Sequence, residues 1–192
     1  EMWKFHNGLE TPHTYQSNPF TWLAQIRPTS FHWANGEAVT GCPSGNCATN
    51  VVALGNPILW WIGIGALMLV VWGTFYYRNW RAGVILTGYL ALYVPWLGYA
   101  HRTIFTFYTV AFAPFVALAV AWMIGLLAGD VAPDGQPTVL PMPRRTEITG
   151  RVMAVGLTLA ILACALWFLP LWRADVVDYD FWRAHMWLPT WI

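Results

Sequence analysis

The chain has 192 residues, enough for one domain, with 57% hydrophobic residues, 10% charged residues and a net charge of +1. A water-soluble domain carries roughly a quarter charged residues. This composition therefore makes the bilayer the principal solvent, and it excludes a broad basic surface for nucleic acid. The 14 Trp and 8 Tyr agree, because amphipathic rings gather at membrane interfaces.

Residues 1–55 come first. Glu1 to Glu10 is polar and carries no secretory signal pattern. Glu1 in place of an initiator Met points to a fragment or a processed product, although Met2 leaves room for a native start behind one added residue. Asn18-Pro19 has the form of a helix cap and first turn. It predicts a short helix over Phe20–Ile26 with Phe20, Trp22, Leu23 and Ile26 apolar, lying flat at the interface. Cys42 and Cys47 sit in the turn Gly41-Cys42-Pro43-Ser44-Gly45-Asn46-Cys47. An exposed pair this close reads as a disulfide in an oxidising compartment. Two unpaired thiols remain the alternative, and no second ligand pair stands at zinc spacing.

Residues 56–172 carry four stretches without Asp, Glu, Lys or Arg: Pro57–Tyr77, Ala82–Ala100, Thr103–Gly129 and Val152–Trp172. A helix needs about 20 apolar residues to cross the hydrocarbon, so each is read as a span. The second is the shortest, and Pro95 should kink or end it. Asn56 and Pro57 cap the first span, with Trp60 and Trp61 at headgroup depth. Asp130–Arg151 is rich in proline and arginine, lacks an apolar period and reads as a loop. Cys164 falls mid-span and reads as a small packing residue. The tail 173–192 mixes Asp175, Asp178 and Asp180 with Trp182, Trp187 and Trp191 and looks interfacial. The predicted fold is an all-α membrane protein with four transmembrane helices behind a loop segment containing the short interfacial helix.

An even number of spans puts residues 1–55, the His101-Arg102 turn and the tail on one face, with Arg78, Arg81, Arg144, Arg145 and Arg151 on the other. Basic residues divide equally until Lys4 and Arg27, remote from the spans, are set aside; the remainder then favours a cytoplasmic location for the arginine-rich loops. Both termini are then extracytoplasmic, which agrees with a disulfide at Cys42 and Cys47.

Two constellations could carry chemistry. In Pro95-Trp96-Leu97-Gly98-Tyr99-Ala100-His101-Arg102, a permanent charge stands between two apolar stretches. Such an Arg either meets an anion or a water-filled cavity, with His101 able to donate a hydrogen bond or carry a proton, or it snorkels to headgroups. The second, His13-Thr14-Tyr15-Gln16-Ser17-Asn18-Pro19-Phe20-Thr21-Trp22 followed by Arg27-Pro28, mixes polar and aromatic groups that could line a sugar or headgroup pocket or simply anchor the segment. His6, His32 and His185 show no metal spacing and read as surface or hydrogen-bonded residues. HExxH, GxSxG and phosphate-cradling glycine loops do not occur, so no motif names a cofactor or metal.

These landmarks, with Gly55-Asn56-Pro57, Trp60-Trp61, Pro95-Trp96, Arg102, Phe105, Tyr108 and Trp187-Leu188-Pro189 with Trp191, stand in the order found in one family. The chain resembles the C-terminal four-transmembrane part of the protein O-mannosyltransferases, most closely the bacterial, actinobacterial type. The resemblance implies a GT-C glycosyltransferase that moves mannose from a polyprenyl-phosphate carrier to Ser or Thr of exported proteins, on the outer face of the plasma membrane. A lipid-phosphate leaving group needs its charge neutralised as the bond breaks, so Arg102, helped by His101, is expected to contact the donor phosphate, and His13, Tyr15, Ser17, Trp22 and Arg27 are expected to line the pocket. The family's catalytic acid belongs to an Asp-Glu pair, and this sequence contains no such pair. The expected partners are therefore the lipid-linked sugar donor, the exported acceptor, membrane lipids and a missing N-terminal half of the enzyme. Two rival classes remain open. A four-span quinone-linked disulfide oxidoreductase normally needs CxxC, whereas four residues separate Cys42 from Cys47. A non-catalytic membrane subunit is the other.

Overall fold

The computed structural model describes residues 8, 10–130, 134 and 144–192. Two compact units emerge: Glu1–Pro57 with Trp96–Tyr108 and Cys164–Ile192, and Ile58–Pro95 with Thr109–Ala163. The first, a mixed unit, holds strands, short helices and turns; the second is helical.

The mixed unit contains a three-stranded sheet in the order β1-β2-β3, built from β1 (Thr29–Asn35), β2 (Cys47–Ala53) and β3 (Val177–Asp178). This sheet corrects the all-α expectation. β1 and β2 pair antiparallel from Thr29↔Ala53 to Asn35↔Ala48, with an irregularity between Ser30 and His32. β2 then pairs with β3 through Cys47↔Asp178 and Ala48↔Val177. β1 carries Thr29, Phe31 and Trp33, β2 carries Thr49, Val51 and Val52, and the two flank a Gly/Pro/Ser turn, which is a hairpin composition. Cys42 and Cys47 are disulfide-bonded, with Cα atoms 5.7 Å apart, and close that turn at the start of β2.

The cap at Asn18 forms as expected, its side chain accepting from the Phe20 N–H at 3.0 Å. The helix over Phe20–Ile26 does not form. The chain makes a single 3-10 turn at Pro19–Thr21 and reaches Gln25 at φ 54°, in the left-handed region. Gln25 is held there by its own side chain, which donates to the Trp22 carbonyl at 2.9 Å and accepts from the Gly55 N–H at 3.0 Å, and by Trp191 Nε1, which donates to its carbonyl at 2.7 Å. One local and two tertiary bonds at one residue outweigh the propensity of a seven-residue helix, which has little intrinsic stability in isolation.

The helical unit is formed from α1 (Pro57–Phe75), α2 (Trp80–Leu97), α3 (Ala113–Ala128) and α4 (Arg144–Trp172), of which α2 and α4 run on into the mixed unit. Asn79 caps α2 by accepting from the Arg81 N–H at 2.9 Å, and α2 continues two residues past Pro95. Two of the expected boundaries move. The third stretch begins as a 3-10 helix at Thr106–Ala111 before α3 starts, and α4 begins at Arg144, inside the stretch read as a loop. The middle of that loop, 131–133 and 135–143, lies outside the described residues. A short further helix, α5 (Tyr179–Ala184), belongs to the mixed unit and is capped by Asp178.

Among the described residues, two helical segments are long and apolar enough to cross a membrane, Pro57–Phe75 and Thr146–Trp172, while Ala113–Ala128 is apolar but shorter. At about 1.5 Å per residue the 19 residues of the first give roughly 28 Å, close to the ~30 Å hydrocarbon core. Only 33% and 17% of the most apolar windows are buried, and large apolar side chains such as Met68, Phe75, Val152 and Leu166 stand exposed. Helices that leave so much apolar surface exposed suit lipid.

Inside the helical unit, glycines set how closely the helices approach. A Cβ built at Gly88 on α2 would lie 2.0 Å from Phe115 Cε1 on α3, and one at Gly150 on α4 would lie 2.1 Å from the Leu127 carbonyl oxygen. Small residues serve this purpose between apolar helices, where packing replaces the hydrophobic effect. Gly150→Ala forces a backbone contact apart and should cost about 1–3 kcal/mol. Gly156→Ala, one and a half turns further along α4 in open space, should not destabilise. Thermal unfolding of both variants in mixed micelles checks the pair; equal midpoints would show that Gly150 makes no close contact.

Candidate functional site

Of the residues marked by the sequence, His13, Ser17, Trp22 and Arg27 contact the 96–108 stretch within the mixed unit, whereas His101 and Arg102 lie in that stretch without a direct contact to them among the described residues. The 13–28 segment is joined to the 96–108 turn by backbone and hydroxyl bonds. Ser17 N–H donates to the Ile104 carbonyl at 2.9 Å, Thr103 Oγ1 to the Thr11 carbonyl, and Thr106 Oγ1 to the Arg27 carbonyl. Rings complete the junction: His13 stands edge-on to Phe105 at 5.1 Å, Trp22 edge-on to Trp96 at 5.7 Å, and Trp96 stacks on Tyr108 at 4.4 Å. Two stretches about eighty residues apart in sequence thus form one aromatic cluster.

Within this cluster the marked side chains occupy different positions. Trp22 is fully buried and its indole Nε1 donates to Ser17 Oγ at 2.8 Å. Ser17, itself buried, also bonds Thr106 Oγ1 at 3.0 Å. Neither side chain presents a free polar group. Arg27 spans segments remote in sequence: its guanidinium donates to the Thr14 carbonyl at 3.1 Å and to the carbonyls of Thr190 and Ile192, with Tyr15 packed on its face at 5.1 Å. Four donor contacts to backbone make Arg27 a clamp between the N-terminal segment and the tail.

The exposed members differ. His13 is exposed, with Nδ1 accepting from the Tyr15 N–H at 3.1 Å. His101 is exposed, and Arg102 is half-buried in the turn that its own N–H closes by donating to the Tyr99 carbonyl at 3.1 Å. The Arg102 guanidinium lies 5.8 Å from the Tyr99 ring centroid, and its Nε is buried with no hydrogen-bond partner among the described residues. A buried N–H left unpaired on a permanent cation costs free energy unless something fills it. An anion accepting from Nε and one terminal nitrogen matches the planar fork of donors.

Other residues that hold the site were not visible in the sequence. Gln25, described above, is one. His185 is another: fully buried, it packs flat on Trp167 at 4.4 Å and places its ring nitrogens 2.6 and 2.8 Å from the carbonyl oxygens of Phe181 and Trp167. A cavity of about 210 Å³ also opens in the mixed unit, with Tyr15 as the one marked residue in its lining; the rest of the lining comes from the sheet and the tail. Thr29, Phe31 and Trp33 at alternate positions ahead of a Gly/Pro turn were the signal that could have pointed there.

Comparison with known proteins adds an independent line. The polyprenol-phosphate-mannose–protein mannosyltransferase of Mycolicibacterium smegmatis is 30% identical over 193 residues, covering 98% of this chain and 36% of the relative. The proteins of the same name from Mycobacterium tuberculosis and Corynebacterium glutamicum are 29% and 26% identical, over 97% and 98% of this chain. The chain thus spans about a third of the length of these relatives, 36% and 35% for the first two. No solved structure matches it at a significant level. The family described as the C-terminal four TMM region of protein-O-mannosyltransferase matches residues 1–191, essentially the whole sequence, and the chain belongs to that family.

Proposed function

We propose that this chain forms the C-terminal, membrane-embedded part of an enzyme that transfers mannose from a polyprenyl-phosphate carrier to Ser or Thr hydroxyls of exported proteins. The observation that carries the reading is the family match across residues 1–191, joined by an arginine whose buried Nε has no partner among the described residues. The relatives are named for a polyprenol-phosphate-mannose donor and a protein acceptor. In the plasma membrane the four helices α1 to α4 cross the bilayer. Residues 1–55, the His101-Arg102 turn and the tail 173–192 face outward, where the Cys42–Cys47 disulfide is stable.

The chemistry follows from the bond that breaks. The acceptor hydroxyl attacks the anomeric carbon of mannose, and the sugar–phosphate C–O bond cleaves with its electron pair staying on the phosphate oxygen. The carrier phosphate thereby gains negative charge as the transition state forms. Arg102 donates to that oxygen from a fixed position, with His101 as a second contact; fixed donors aimed at developing charge are the most effective electrostatic catalysts. His13 and Tyr15 shape the pocket for the reacting groups, while Ser17, Trp22 and Arg27 hold the segment that carries them. The acceptor proton goes to a carboxylate base supplied from outside this chain, since no Asp-Glu pair is present.

Transfer of mannose from a polyprenyl-phosphate donor to a Ser/Thr peptide, measured in membranes, tests the reading. The chain by itself should give no product, and co-expression with the N-terminal part of a relative carrying the acidic pair should restore transfer. Product from the chain alone would place the base within it; no product from the combination would remove the assignment.

A further inference from the structure

We propose that the cavity in the mixed unit is a monosaccharide subsite, which takes one neutral hexose ring against Trp33 and Trp182. Its volume, about 210 Å³, lies below the ~300–1,000 Å³ of sites for drug-sized ligands and suits a single ring, with the rest of a larger conjugate left outside. The lining combines aromatic faces (Tyr15, Trp33 and Trp182) with amides and a hydroxyl (Asn35, Asn50 and Ser30). Rings of Trp33 and Trp182 lie 4.1 Å apart at 41°, forming an aromatic corner. None of the lining side chains is ionisable in the physiological range, which selects against phosphate, carboxylate and ammonium groups.

One buried polar residue in the lining is left for a ligand. Asn50 is only 6% exposed, and its amide oxygen accepts from Ser30 Oγ at 3.0 Å, which leaves the amide N–H donors without a partner among the described residues. Buried polar groups are otherwise nearly always satisfied. A hexose presents both complements at once: C–H faces for the rings and hydroxyls that accept from Asn50. A proline or apolar side chain would fill the volume but leave the amide donors unpaired.

The choice of mannose among hexoses rests on the transfer reading given above; the subsite itself does not. The sugar reaches the cavity either on the lipid donor or already attached to an acceptor. The test uses the full chain in lipid nanodiscs with methyl α-mannoside, observed by saturation-transfer NMR. Trp33→Ala, a change at a half-exposed position with little risk to folding, should weaken binding by about tenfold or more, and Trp33→Phe by less. Asn50→Leu should weaken it similarly. Polyprenyl-phosphate mannose, a peptide carrying O-linked mannose and the same peptide unmodified then separate the sources. Loss confined to the lipid donor assigns the sugar to the carrier; loss with the mannosylated peptide assigns it to the acceptor. Unchanged mannoside binding in Trp33→Ala, or an equal loss with the unmodified peptide, would overturn the subsite. Mannoside binding without any transfer by the assembled enzyme would leave the subsite standing and remove the transferase reading. Transfer without mannoside binding would do the reverse.

Discussion

Arg102→Gln should reduce mannosyl transfer by the assembled enzyme about 100- to 1,000-fold, the usual effect of losing one donor aimed at a developing anion. The loss should fall chiefly on kcat. The phosphate is already charged in the donor, so part of the arginine contact exists in the ground state, but the added charge appears only as the sugar–phosphate bond breaks. Arg102→Lys keeps the cation and loses the fork of donors, including the buried Nε, and should recover only part of the rate. His101→Ala should cost much less, because His101 is exposed and competes with water for the same oxygen. The substitution leaves the fold intact: the Arg102 side chain contributes one ring contact to the turn, which its backbone closes. Steady-state kinetics against donor concentration, on protein whose unfolding midpoint is unchanged, measures all three. Near-normal turnover in a folded Arg102→Gln enzyme would sink the phosphate assignment.

Trp22→Ala should destabilise by about 3–5 kcal/mol, as expected for truncating a fully buried large aromatic residue. The indole packs against Trp96 and Tyr108, so its removal opens a cavity between the 13–28 segment and the 96–108 turn. It also deprives Ser17 of its indole donor. Trp22→Phe separates these effects. It retains most of the packing and should cost about 1–2 kcal/mol for the lost bond and residual space. Unfolding in mixed micelles gives both values. A change below about 1 kcal/mol for Trp22→Ala, small for a buried-core truncation, would mean that the two segments do not depend on each other.

The membrane character of the chain was legible because it depends on composition and on local runs. Pro57–Phe75 and the 152–172 part of Thr146–Trp172 carry no charged residue whatever surrounds them, and the hydrocarbon thickness alone sets the length required. The caps at Asn18 and the disulfide between Cys42 and Cys47 were legible for the same reason: each needs only residues a few positions apart. The family resemblance rested on an ordered series of such local marks, and the match over residues 1–191 agrees with it.

The sheet was missed because its strands are short, and β3 has only two residues. Pairing of β2 with β3 depends on residues about 130 positions apart, which no local periodicity records. Gln25 shows the same limit from the other side. Its surroundings read as helix, but its conformation is dictated by bonds to Gly55 and Trp191. Arg27 read as a pocket residue on chemical type; its position between Thr14 and the tail makes it a clamp.

By itself, then, the sequence determined which solvent the chain occupies, where its long apolar helices lie and which residues carry unusual chemistry, since all of these follow from local composition. Only the tertiary structure decided which polar groups are used up in holding the fold and which remain free. Ser17 and Arg27 are satisfied by partners far away in the chain, whereas the Arg102 Nε and the Asn50 amide N–H donors have no partner among the described residues. Whether a buried donor has a partner is a property of three-dimensional packing, and the cost of leaving it unpaired is what marks these groups for a ligand.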